Sequence, residues 1–342
     1  MLNTLYQLTA PRRFEAIIQD IDVKHENGLV CRPTHLSICN ADQRYYQGTR
    51  GAEVLAKKLP MALIHEAIGE VVYDSQRILE PGTPVVMIPN LPVEQHPIIA
   101  ENYLRSSKFR ASSADGFTQE LIATKHDRVV VLPDNLDKNV AAFTELVSVM
   151  THVIKRFDAF SYQGERTVGF WGDGNVGFIG SLLYKQQHPN SKVFVVGKNE
   201  DKLSDFTFAD GVLLASELSP SFKVDHAFEC AGGIGSISAI EQIIDHIQPE
   251  GTIALCGVSE NPIPVNTRMI LEKGLRLFGS SRSGRSDFED TFELYRQHPA
   301  IPEYLKRIVG NICEVNTIDD LNSAFEADIQ KRLGKTIMHW NM

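Results

Sequence analysis

Positive charge is the first thing this sequence lacks. Its 34 lysines and arginines are outnumbered by 43 aspartates and glutamates, for a formal net charge of −9 at pH 7. A broad nucleic-acid surface needs a basic stripe. None is present, and the clusters Arg12-Arg13 and Lys57-Lys58 read as solvated surface. Long apolar runs are missing as well. No stretch approaches the roughly 20 apolar residues of a membrane-crossing helix. Met1 to Tyr6 has neither the basic start nor the apolar core of a secretory leader. The expected location is therefore the cytoplasm. Cysteine is sparse: five residues, at 31, 39, 230, 256 and 313, with no C-x-x-C pair. In a reducing compartment, scattered cysteines read as buried apolar side chains. Only Cys39 stands in a polar, ligand-like context.

What is there suffices for a large folded protein. The chain has 342 residues, 43% of them hydrophobic, enough for two domains with full cores. The first 140 residues read as short strands and loops with poor helical periodicity, as in Pro84–Pro89 and Val129–Pro133, apolar runs bounded or ended by proline. From about Thr144 the texture changes. A helix is expected over Glu145–Phe157, a strand at Thr167–Trp171, a helix over Val176–Gln187 and a strand at Lys192–Val196. Val224–Glu229 and Thr252–Cys256 follow as strands, with a helix near Ile234–Ile247 between them. Such alternation indicates a parallel sheet covered on both faces. Beyond Phe278–Arg282, helical stretches near Phe288–Gln297 and Ile318–Asp328 precede a last strand, Lys335–Met338, where the chain is expected to return to the first domain. The expected fold class is α/β: a doubly wound parallel sheet over 144–281, and a β-rich domain from 1–143 and 282–342.

Two constellations carry chemistry. Gly172-Asp173-Gly174-Asn175-Val176-Gly177 lies between a strand and a helix, the context in which G-x-G-x-x-G binds a dinucleotide. Gly172 permits the tight turn, Gly174 lets the pyrophosphate approach, and Gly177 packs the helix on the sheet. The helix N-terminus then faces the phosphates. An NAD site places a carboxylate at the tip of the next strand. Here the tip reads Val196-Gly197-Lys198-Asn199, with Lys202 one turn on. Gly197 is expected to leave room, and Lys198 and Lys202 to attract a 2′-phosphate, so NADPH is favoured over NADH, incompletely because Glu200 and Asp201 lie close by. The second constellation is Cys39, His65, Glu66 and Glu145. A thiolate, an imidazole and two carboxylates suit zinc with room for a substrate. Adjacent His65 and Glu66 diverge on regular backbone. They need an irregular turn, for which the nearby Gly69 is the expected source.

These residues lead to a resemblance. Ser37–Asp42, His65-Glu66, Thr144–Val149 and Gly172–Gly177 resemble, in order, the zinc-dependent medium-chain dehydrogenases. The sorbitol dehydrogenase branch is nearer, because its third protein ligand is a carboxylate beside the histidine. Longer strings, Ala41–Gly48, Lys58–Met61, Phe170–Asn175 and Gly279–Gly284, look like the ribulose-5-phosphate reductases of ribitol teichoic acid synthesis. The resemblance implies a GroES-like catalytic domain joined to a Rossmann domain. It implies that Cys39, His65 and Glu66 bind zinc, with Glu145 fourth, directly or through water, and that Asp42 holds the zinc-bound histidine. The implied reaction is NADPH-dependent reduction of D-ribulose 5-phosphate to D-ribitol 5-phosphate. The product would supply CDP-ribitol by way of a cytidylyltransferase, with which a complex is expected. Dimers or tetramers are also implied. The family's structural zinc lobe carries four cysteines. Leu91–Ser113 carries none, so no second zinc is expected. There are two departures: Ile64 stands where the family has glycine, and Ala41 where it has a proton-relaying hydroxyl. Arg44, Tyr45, Lys57, Arg110 and Arg282 are the candidates for binding the sugar phosphate. Two rival readings stay open. One is a zinc-dependent polyol dehydrogenase on an unphosphorylated sugar alcohol. The other is a non-enzymatic dinucleotide binder, for which zinc ligands would serve no purpose.

Overall fold

The computed structural model describes residues 1–21, 23, 28–162 and 164–342. The chain divides into two compact units. One comprises Met1–Ser148, Ser283–Arg296 and Ile308–Met342; the other comprises Val149–Arg282 and Gln297–Arg307.

The first unit is built on a mixed sheet. Its central strand, Leu29–Ser37, pairs antiparallel with Glu66–Asp74 on one side and with Lys335–Trp340 on the other. Pro84–Met87 and Val129–Val131 extend one edge, and Val309–Val315 runs parallel to the last strand at the other. Ile122–Thr124 pairs with the start of the central strand. A three-stranded sheet of Arg13–Asp20, Leu2–Ala10 and Met61–Ala62 packs nearby. Phe14, Tyr46 and Phe325 stack between these elements. Poor helical periodicity concealed two short helices here, Asn40–Tyr46 and Ala52–Lys58. Seven residues are two turns, too few for a 3.6-residue pattern to show.

The second unit is a six-stranded parallel sheet. Its spatial order is Gly211–Leu214, Lys192–Gly197, Thr167–Trp171, His226–Glu229, Thr252–Leu255, Arg276–Gly279. Numbered along the chain that is 3-2-1-4-5-6, the doubly wound order, and it reverses direction next to Thr167–Trp171. Buried strand residues such as Phe170 and Phe228, stacked with centroids 4.4 Å apart, fill the core. Strand Arg276–Gly279 starts in register after a left-handed Gly274 caps the helix Thr267–Lys273.

The unit boundaries differ from the expected 143/144 and 281/282. The helix Thr144–Phe160 contributes its first residues to the first unit. The chain also revisits the second unit at 297–307, where Tyr304 meets Phe208 edge-on and Arg307 bonds to Thr207. Short amphipathic stretches such as Ala300–Leu305 do not announce which core they cover. No helix among the described residues is long and apolar enough to cross a membrane.

Candidate metal centre and dinucleotide loop

Cys39 is the N-cap of the helix Asn40–Tyr46, so its side chain projects from a helix start. Asp42, three residues on and fully buried, ties the region together. Its Oδ2 accepts from the Cys39 amide at 3.3 Å and lies 3.3 Å from His65 Nδ1; its Oδ1 accepts from the Ile64 amide at 3.0 Å. The irregular turn that separates His65 from Glu66 comes from Ile64, not Gly69. Ile64 adopts φ +69°, left-handed backbone that a β-branched residue rarely takes. Such a residue persists only where its surroundings over-determine it. Here its amide is held by Asp42, its carbonyl accepts from Phe117, and its side chain is buried in the core. Gly69 lies inside the strand, three residues past Glu66 and opposite a bulge of the partner strand, where a Cβ would fall 2.3 Å from the Arg32 carbonyl oxygen.

Glu66 opens the strand Glu66–Asp74 opposite Ser37. Glu145 sits in the first turn of the helix Thr144–Phe160. One ligand atom from each of Cys39, Asp42 and His65 lies within 4.8 Å of the other two, and the same holds for His65, Glu66 and Glu145. His65 is common to both trios. The fold thus brings together the four expected donors and Asp42.

The sequence reading missed Lys335. This lysine opens the strand Lys335–Trp340, is 1% exposed, and places its Nζ 2.8 Å from Glu66 Oε1. The other Glu66 oxygen is buried without a partner. A lysine leading into the apolar pair Ile337-Met338 of an expected strand was the available signal. Its partner 269 residues away was not.

The electrostatics are those of charges confined away from water. Burial pushes His65 down, but Asp42 and Cys39 beside it more than reverse this and hold the imidazole well above its usual range. Burial, reinforced by Glu66 and Asp42, raises the Glu145 carboxyl against the opposing pull of His65 and Lys335. Burial works against the Lys335 ammonium, yet Glu66 and Cys39 raise it. Sulfur, nitrogen and carboxylate donors thus crowd a buried site in which one Glu66 oxygen has no hydrogen-bond partner. A divalent cation of intermediate softness fits that donor set.

The glycine turn is built as expected. Gly172 has φ +141°, and a Cβ on Gly177 would fall 1.9 Å from the Gly172 carbonyl oxygen. Gly174 has open space before it. The helix Asn175–Gln187 starts immediately after, so Asn175 and Val176 present first-turn amides at its N-terminus. One expectation is corrected. The space at Gly197 is filled by Asp173, whose Cβ and Oδ2 would stand 2.7 and 2.8 Å from an added Cβ. Lys198 is exposed and Lys202 half-buried on the turn that follows.

The sugar-phosphate candidates separate. Tyr45 packs into the core with Arg50 over its ring, because its helix turns that face inward. Arg110 donates to the carbonyls of Asp115 and Ala123 and covers Phe117. Arg44 is half-buried and Lys57 exposed, on two successive helices. Arg282, with φ +60°, belongs to the second unit.

A parallel sheet of this order with its glycine turn, and a cysteine–histidine–carboxylate cluster on a β-rich unit, define a zinc-binding dehydrogenase. Residues 190–297 match the family model described as zinc-binding dehydrogenase. The chain belongs to the medium-chain, zinc-binding dehydrogenases, in the branch that holds the ribulose-5-phosphate reductases. It is 51% identical over 342 residues to ribulose-5-phosphate reductase 1 of Staphylococcus aureus, covering 100% of both chains. It is equally 51% identical, again with 100% of each chain covered, to the ribulose-5-phosphate reductase of Bacillus spizizenii. Among solved structures it is similar to S. aureus TarJ in complex with NADPH, at TM-score 0.89 and 47% identity over 100% of each chain.

Proposed function

We propose that this chain reduces D-ribulose 5-phosphate to D-ribitol 5-phosphate with NADPH, at one zinc ion held by Cys39, His65, Glu66 and Glu145. The observation that carries the reading is the meeting of these donors, from three separate segments and in two trios that share His65, in a chain 51% identical along its whole length to named reductases. When bound, zinc polarises the ketone oxygen of the sugar and the nicotinamide supplies the hydride.

The protein's own residues prepare that chemistry. Asp42 engages His65 Nδ1, which fixes the ring and leaves Nε2 as the metal donor. Lys335 holds one Glu66 oxygen, which leaves the other as a single-atom ligand. Ala41 has no hydroxyl, so the proton for the product oxygen travels by way of water, Glu145 or the substrate's own hydroxyls. Asn175 and Val176 receive the pyrophosphate at a helix N-terminus with Gly172, Gly174 and Gly177, and Lys198 and Lys202 receive the 2′-phosphate.

The absence of cysteine from 91–113 supports a single zinc. The last strand of the parallel sheet, Arg276–Gly279, leaves one edge for a second copy, which supports a homo-oligomer; a monomer by light scattering would reject it. A complex with the cytidylyltransferase that consumes the product follows from the reaction, and co-purification without association would exclude it.

NADPH oxidation tests the reading. Ribulose 5-phosphate should be turned over, free ribulose at least about 100-fold less efficiently, as expected when a charged phosphate contact worth about 3 kcal/mol is missing. A zinc chelator should abolish turnover. Equal use of free ribulose would favour the unphosphorylated-polyol reading. Full turnover by Glu145→Ala would remove Glu145 from any essential role.

A further inference from the structure

The strand-tip turn that follows Lys192–Gly197 is held from an unexpected direction. Asp173, between the first two glycines of the turn, sends its carboxylate across to it. Asp173 Oδ2 accepts from the amides of both Lys198 and Asn199, each at 2.8 Å. Gly197 is buried beneath the same carboxylate, and any side chain there would collide with it. Asn199 in turn accepts from the Lys202 amide at 3.1 Å through its Oδ1. One carboxylate therefore fixes the backbone of Lys198 and Asn199 directly and that of Lys202 through one further bond.

In a site for an unphosphorylated dinucleotide, the strand-tip carboxylate accepts from ribose hydroxyls. This chain also has a carboxylate near the tip, but it arrives from the glycine turn, and one of its oxygens is occupied by two main-chain donors. Charge-assisted bonds of this kind absorb much of its negative potential. The turn it fixes carries two ammonium groups, on exposed Lys198 and half-buried Lys202. We propose that Asp173 is a positioning residue for NADPH selectivity: it locks the 197–202 turn so that Lys198 and Lys202 are presented to the 2′-phosphate. This rests on the reading that the chain uses NADPH.

The test is equilibrium binding of NADPH and of NADH to the full-length zinc-loaded protein, followed by nucleotide fluorescence, in wild type, Asp173→Ala, Asp173→Asn and Lys198→Met. Asp173→Ala should weaken NADPH about tenfold, the equivalent of one charge-assisted bond, and NADH less than about threefold, so that the selectivity ratio falls. Asp173→Asn keeps an acceptor oxygen and should recover part of the ratio. Adding Lys198→Met to Asp173→Ala should cost less than the two changes separately, because both act through one contact. In the nucleotide-free protein, the amides of Lys198 and Asn199 should lose protection from hydrogen exchange in Asp173→Ala. Equal weakening of both nucleotides, no weakening, or tighter NADPH binding would each overturn the inference. A wild type that prefers NADH would instead overturn the NADPH reading on which it rests.

Discussion

A buried ammonium and a buried carboxylate tolerate desolvation only as a pair. Lys335 and Glu66, 2% and 0% exposed at their side chains, are such a pair, and the cluster of Cys39, His65 and Glu145 adjoins it. Lys335→Met should therefore lower the stability of the zinc-free protein by about 3–5 kcal/mol, because an unpaired charge is left behind. Urea unfolding of the chelated protein measures this. The same variant should also bind zinc with altered affinity in chelator competition, since Glu66 loses its orientation. Ile64 shows the same logic in the backbone. A left-handed φ at such a residue costs about 1–3 kcal/mol. It is sustained by Asp42 and by a fully buried side chain.

Elements are tied at their ends by a few charged side chains. Asp74 ends the strand Glu66–Asp74 and gathers the following turn. It accepts from the amides of Gln76, Ile78 and Leu79 and pairs with His126. Burial acts to raise its carboxyl, but His126 and those three amides prevail and bring it down to about 2. A carboxyl depressed in the folded state stabilises above its unfolded pKa and loses that contribution as pH falls toward the folded value. Asp74→Asn should thus cost about 2 kcal/mol at pH 7. The gap to wild type in denaturant melts should shrink as pH drops from 4 toward 2. The loop at 91–113 offers a second case. Glu101 takes both guanidinium nitrogens of the buried Arg128 and the amide of Arg285. This ion pair anchors a segment that has no cysteines to bind metal. Glu101→Gln should destabilise by about 2 kcal/mol, less than a fully dry pair because Glu101 remains partly exposed. It should leave the zinc content unchanged, which metal analysis checks.

For the whole molecule, the proposal makes metal and nucleotide separable ligands of separate units. Cys39, His65, Glu66 and Glu145, the proposed zinc donors, all belong to the first unit, and the glycine turn with Lys198 and Lys202 to the second. Metal analysis should return one zinc per chain. Dialysis against a chelator should remove it without unfolding the parallel sheet. NADPH at about 100 times its Kd should stabilise the protein by about 2.7 kcal/mol. In hydrogen exchange, that protection should centre on 172–177 and 197–202 of the chelated protein, rather than around Cys39 and His65.

Sequence alone determined what repeats or follows a local rule. Alternating strands and helices around a glycine turn specify a doubly wound sheet, because chain chirality and short connections leave few other arrangements. The observed 3-2-1-4-5-6 order agrees with that pattern. The cysteine, the His-Glu pair and the later glutamate offered donor types that suit zinc, and the family resemblance singled them out as a set. Tertiary structure decided everything that depends on a partner far along the chain. It put Lys335 against Glu66 and Tyr45 into the core. It directed Asp173 at the next strand's tip and moved the source of the irregular turn from Gly69 to Ile64. Local patterns reflect backbone preference and periodicity. A buried charge pair, by contrast, joins residues whose only common property is where the folded chain has carried them.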